Sequence, residues 1–87
     1  MRVVWKHELP REANVLMLHK DAEILHVAAQ HDGIHLWEAH DEAEAKKVRR
    51  RFHVVGTGRT FPDSGTHVGS LLMRDGAFVF HVFEEPA

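Results

Sequence analysis

There is no cysteine in this chain of 87 residues, so no disulfide staples it and no thiolate is available to a metal. That composition fits a reducing compartment. Neither sign of charge is in excess: with histidine neutral the net charge is −2, which removes the global electrostatic case for a nucleic-acid binder. No apolar run approaches the ~18 residues of a membrane span. The opening Met1-Arg2-Val3-Val4-Trp5-Lys6 reads as a strand and not as a signal peptide. The expectation is a soluble cytoplasmic protein with no membrane partner. No Gly-x-Ser-x-Gly elbow, P-loop or dinucleotide fingerprint occurs. Asp63-Ser64-Gly65 reads as turn chemistry, no catalytic residue is assigned, and the protein is expected not to be an enzyme. Length is also short. A domain of this size buries only roughly 60% of its unfolded surface, so it needs an efficient core or a partner, and a homo-oligomer is expected.

What the chain does have is two Asp-Gly pairs, Asp32-Gly33 and Asp75-Gly76, each between runs of alternating apolar and polar residues. Asp-Gly readily takes positive φ at both central positions of a type I′ turn, whose twist suits antiparallel strands. The pattern predicts a single mainly β domain over residues 1–87: a small antiparallel β-sandwich or partly open barrel of about seven strands, with at most one short helical turn.

Alternation places the strands. Val3, Trp5 and Leu9 fall on one side of a first strand, Arg2, Lys6 and Glu8 largely on the other, with His7 breaking the apolar face and Pro10 ending the strand. Asn14 to His19 is a short apolar run that predicts a strand buried on both faces. Glu23 to His31 and Ile34 to His40 follow. With Asp32-Gly33 as the turn, Ala28 faces Trp37 and Ala29 faces Leu36, small against large. Asp41 to Ala45 is read as a loop or one helical turn, and a long strand then runs through Val55. His67 to Arg74 and Ala77 to Glu84 make the last hairpin.

Register in that last hairpin follows from its turn. Met73 faces Phe78, Leu71 faces Phe80 and Gly69 faces Val82, an apolar face expected in the core. The opposite face pairs Leu72 with Val79, Ser70 with His81 and Val68 with Phe83. It is half apolar, so Leu72, Val79, His81 and Phe83 are candidate interface residues for another chain.

Histidine is abundant, at nine residues; protonating all of them would move the net charge from −2 to +7. The theme apolar-His-Val recurs at Leu25-His26-Val27, Phe52-His53-Val54 and Phe80-His81-Val82, and in each strand it sets the imidazole on the face opposite its apolar neighbours. His31, His35 and His40 flank a turn at a spacing unspecific for zinc, and neither a metal nor any other cofactor is assigned.

Two further constellations are candidates for binding. Lys46-Lys47-Val48-Arg49-Arg50-Arg51 carries five positive charges in six residues. Lys47, Arg49, Arg50 and Arg51 there could meet phosphates or a partner's carboxylates, or guard a sheet edge against aggregation. Gly56-Thr57-Gly58-Arg59-Thr60 offers amides, hydroxyls and a guanidinium, the ingredients of an anion nest, or else a bulge or tight corner. Gly56, Gly58 and Arg59 are therefore candidate anion-binding residues.

Several segments together resemble a family of small proteins found in tailed-bacteriophage genomes, a domain of unknown function. They are Trp5-Lys6, Ala22-Glu23-Ile24-Leu25-His26-Val27, Leu36-Trp37, Phe52-His53-Val54-Val55-Gly56-Thr57-Gly58, His67-Val68-Gly69-Ser70 and Phe78-Val79-Phe80-His81-Val82-Phe83-Glu84. The chain departs from that pattern in an Ala-Glu-Ala-Lys-rich insert after Trp37. The resemblance assigns no role to any residue. It implies a phage protein acting in the host cytoplasm, a non-enzymatic binder that inhibits a host factor, such as an anti-phage defence component, by occupying its surface. The alternatives are an oligomeric sponge for a nucleotide second messenger and a structural component of the virion.

Overall fold

The structure, a computed structural model, describes residues 1–10, 14–61 and 64–86. Seven strands and no helix are found among them: β1 Arg2–Glu8, β2 Val15–His19, β3 Glu23–Gln30, β4 Gly33–Asp41, β5 Lys47–Gly56, β6 Thr66–Met73 and β7 Phe78–Glu84. They form two antiparallel sheets, β1-β4-β3 and β2-β5-β7-β6. The architecture is an open, sandwich-like pair of layers and not a closed barrel.

Period-two alternation gives each strand an inner and an outer face. Leu36 and Val27 from the three-stranded sheet meet Leu18, Phe52, Leu71 and Val82 from the four-stranded sheet, and Leu9 joins them from the end of β1. These side chains are all nearly inaccessible and constitute the apolar core. The layers come closest at β3 and β6. A Cβ on Gly69 would lie 2.6 Å from Val27 Cγ2, so only glycine lets the two backbones approach this far.

The two hairpins use their Asp-Gly pairs differently. In β6–β7 the turn is centred on Asp75 (φ 56°) and Gly76 (φ 87°), and Met73 pairs with Phe78 as alternation predicts. In β3–β4 the positive φ values belong to His31 (52°) and Asp32 (63°), and the turn closes on Gln30 opposite Gly33. Ala28 therefore faces His35, not Trp37, and Ala29 faces Ile34, not Leu36. The faces survive this correction because pairing moves by two residues. Gly33 does not take a positive φ, and the atom a Cβ there would meet, Glu8 Oε2 at 2.6 Å, is the mobile end of an exposed side chain.

Two other expectations are corrected. A bulge between His67 and Gly69 pairs Phe83 with His67 in place of Val68. The second strand is not buried on both faces: β2 is an edge strand, and Met17 is exposed. Asp41 to Ala45 is a loop, one of the two forms expected for it. Asp41 ends β4, its Oδ1 accepts from the Ala43 amide at 2.9 Å, and its carbonyl accepts from Glu44 at 2.9 Å.

Candidate functional site

The registers bring the basic segment and the second face of the last hairpin onto one surface. On the outer face of the four-stranded sheet, β2–β5 pairing sets Met17 beside Arg49 and Val15 beside Arg51, with Lys47 one pair further on. The same face continues through His53 beside Phe83 and Val55 beside His81. It ends on Ser70 beside His81 and Leu72 beside Val79. Leu72 is 63% exposed and Met17 53%, large apolar side chains left in water. Phe83 is partly covered by Phe61, stacked at 4.0 Å, and by the His67 ring at 5.3 Å.

Of the candidate cations, Lys47, Arg49 and Arg51 point outward and are exposed. Arg51 pairs with Glu85 at 3.5 Å, whereas Lys47 and Arg49 form no ion pair among the described residues. Arg50 is separated from them. It lies on the inner face, where Nε and Nη2 donate to both oxygens of Glu84 at 2.5 and 2.8 Å and Nη1 donates to the Ala22 carbonyl at 2.7 Å. The hydrogen bonds to Glu84 raise its pKa further, outweighing burial. Its cation is committed to the interior.

The glycine loop is a tight corner. The Arg59 amide donates to the Gly56 carbonyl at 3.0 Å, the Thr57 amide donates to Val79 at 3.2 Å, and Gly58 supplies a φ of 89°. Two of the amides that an anion nest would require are thus already engaged. Arg59 is exposed.

Histidines do line up on the outer face. His67 Nε2 and Ser70 Oγ are 3.0 Å apart, Ser70 Oγ and His81 Nδ1 2.7 Å, and His81 Nε2 and Thr57 Oγ1 2.9 Å. A Ser–His contact of this length is what a nucleophile and its base require. In a Ser-His-Asp triad, however, a carboxylate orients the imidazole, and here the second partner of His81 is a hydroxyl. His53 does meet a carboxylate, Glu85 Oε1 at 2.6 Å, but away from Ser70's hydrogen-bond chain.

A second feature is a cleft of about 850 Å³ where the layers part beside the β3–β4 and β6–β7 turns. Ile34, Val54, Met73 and Phe80 line its floor, and Glu8 and Arg74 stand at its rim.

The third feature is a buried polar cluster whose members come from three separate strands. On β4, Leu36, Glu38 and His40 share the inner face, and β1–β4 pairing lays Trp5 opposite Glu38 and His7 opposite Leu36. Glu38 has no exposed surface and His40 is 1% exposed. His40 Nδ1 lies 2.7 Å from Glu38 Oε1, and His7 Nε2 lies 2.8 Å from Oε2. Burial pushes the Glu38 carboxyl up, but the hydrogen bonds and charge of His40 and His7 outweigh it, holding the pKa below the ordinary range. His19, at the end of β2, stacks on His40 at 3.7 Å, and Trp5 sets its edge or face at right angles to both rings, at 5.2 and 4.8 Å. Two signals lay in the sequence. His7 interrupts an apolar face, and Glu38 and His40 are two apart on a strand and so must share a face.

The family model of a domain of unknown function, DUF7352, matches residues 1–87, and the chain belongs to that family. No curated protein and no solved structure shows significant similarity to it.

Proposed function

We propose that this member of the family is a non-enzymatic binding protein, whose working surface is the outer face of the four-stranded sheet. Its occupant is an acidic, partly apolar protein surface. The observation that carries the reading is that exposed Met17 lies beside Arg49 and next to Lys47 on an outer face that runs on to exposed Leu72 at its far end. The exposed apolar side chains supply affinity, and the cations steer encounter and select carboxylates. Phage provenance and a host-defence target rest on the resemblance of the sequence to small tailed-phage proteins. The nucleotide-sponge alternative draws no support from a glycine loop whose Thr57 and Arg59 amides are already bonded.

The test is a pair of substitutions, Arg49→Glu with Leu72→Ser. Both sites are exposed, and surface changes usually move stability by under about 0.5 kcal/mol. A target first captured from host lysate is purified and titrated against both proteins. Loss of binding with an unchanged melting curve supports the reading. Retained affinity overturns it. A homo-oligomer dissolved by the same pair of changes would assign the face to a second copy of the chain instead.

A further inference from the structure

We propose that His19, Glu38 and His40 form a binding site for a divalent first-row transition ion of the zinc class, with one coordination position left open. Each offers one ligand atom, and these atoms all lie within 4.8 Å of one another. A tetrahedral ion with bonds near 2.1 Å holds its ligands about 3.4 Å apart, so the set needs only a small contraction. All three residues are buried.

Charge is the strongest argument. A carboxylate with no solvent exposure is unfavourable unless a cation answers it. Among the described residues the direct partners of Glu38 are two imidazoles, with no lysine or arginine in contact. Arg50 acts on it through its charge without touching it, and a divalent ion would place a full positive charge in direct contact with the carboxylate. It would replace the proton that Glu38 Oε1 and His40 Nδ1 now share at 2.7 Å, and that proton leaves to solvent. His7 keeps hold of the other oxygen, Oε2, as an outer-shell partner that orients the carboxylate.

The surroundings permit the rearrangement. The His19 and His40 rings are stacked within 10° of parallel, and ring lone pairs lie in the ring plane, so one ring must tilt to share an ion. His19 is free to do so. It stands at the last position of an edge strand, and its imidazole makes only ring contacts among the described residues. Trp5, 45% exposed, covers both rings and separates the site from water by one side chain. Two nitrogens and one oxygen favour zinc, cobalt, nickel or copper over magnesium or calcium. By sequence spacing alone, His31, His35 and His40 are the zinc candidates, and no metal is assigned to them. Of those three, only His40 belongs to this cluster.

The experiment uses a Trp37→Phe protein, in which Trp5 is the only indole. Zn²⁺ is titrated calorimetrically, and Co²⁺ is followed by its visible d–d bands and by quenching of Trp5 emission. The expected result is one ion per chain with quenching that saturates at the same ratio. His19→Ala should weaken binding by more than the about 10–100-fold typical of losing an outer-shell partner, and His7→Ala by an amount within that range. His26→Ala and His35→Ala, which remove the imidazoles beside position 37, should change nothing. Melting curves in chelator establish that each variant folds. If His40→Ala does not, His19→Ala decides alone, because that ring anchors no hydrogen bond among the described residues. Absence of a one-to-one isotherm, or equal affinity in His19→Ala, overturns the proposal.

Discussion

Arg50 and Glu84 form a two-pronged ion pair on the inner face of the four-stranded sheet, and the same guanidinium reaches the Ala22 carbonyl where the chain crosses into the other sheet. Each is about one-fifth exposed. Arg50→Met therefore leaves a carboxylate facing the core. A fully buried pair broken this way costs about 3–5 kcal/mol; partial exposure reduces the expectation here to about 2–3 kcal/mol. Urea denaturation measures it. Adding Glu84→Leu to Arg50→Met should recover most of the loss; a double variant no more stable than the single would show that the bond to Ala22 matters more than the charge.

Gly69→Ala should destabilise by about 1–3 kcal/mol, the usual range for overpacking. Its new methyl meets Val27, a stiff β-branched side chain that is 3% exposed. Val27→Ala in the same protein should make room and reverse the sign of the interaction in a double-mutant cycle. Strict additivity of the two changes would rule out the contact.

Phe52 and Phe80 both lie on inner faces but differ in depth. Phe52 is 1% exposed, while Phe80 is only partly buried against the core and borders the cleft. Phe52→Ala should cost about 3–5 kcal/mol and threaten folding. Phe80→Ala should cost clearly less. Equal losses in thermal unfolding would contradict this placement of the core.

His31 carries a φ of 52° in an exposed turn. Glycine tolerates that conformation without a Cβ penalty. His31→Gly should leave stability unchanged or raise it by up to about 1 kcal/mol, whereas His31→Val should lower it. A melting temperature that falls with glycine and rises with valine would refute the turn geometry.

Strand positions were legible because alternation with period two is a local property and needs no knowledge of partners. The last hairpin was legible pair by pair from its turn as far as Gly69 and Val82, since a two-residue turn sets register directly, and only the bulge beyond displaced it. The first was displaced because His31 and Asp32 take the positive φ values, which leaves Gly33 as the first residue of β4. On the outer face of the four-stranded sheet, the outward set Lys47, Arg49 and Arg51 followed from alternation alone. That Arg50 turns inward was visible as a break in the apolar face, but its acceptor, Glu84, was not.

Those breaks mark the boundary between the two kinds of information. His7 and Arg50 each announced, in sequence, a polar group where an apolar one was expected. What answers them comes from strands 31 and 34 residues away. Composition and periodicity determined that this chain makes short antiparallel strands with one wet face. Only the folded arrangement decided that β1 would lie on β4 and β5 on β7, and hence that Glu38, His40 and His19 would meet under Trp5. The physical reason is loop closure. A turn pairs its neighbours at little entropic cost, but distant strands are chosen by the summed burial and charge compensation of the whole core.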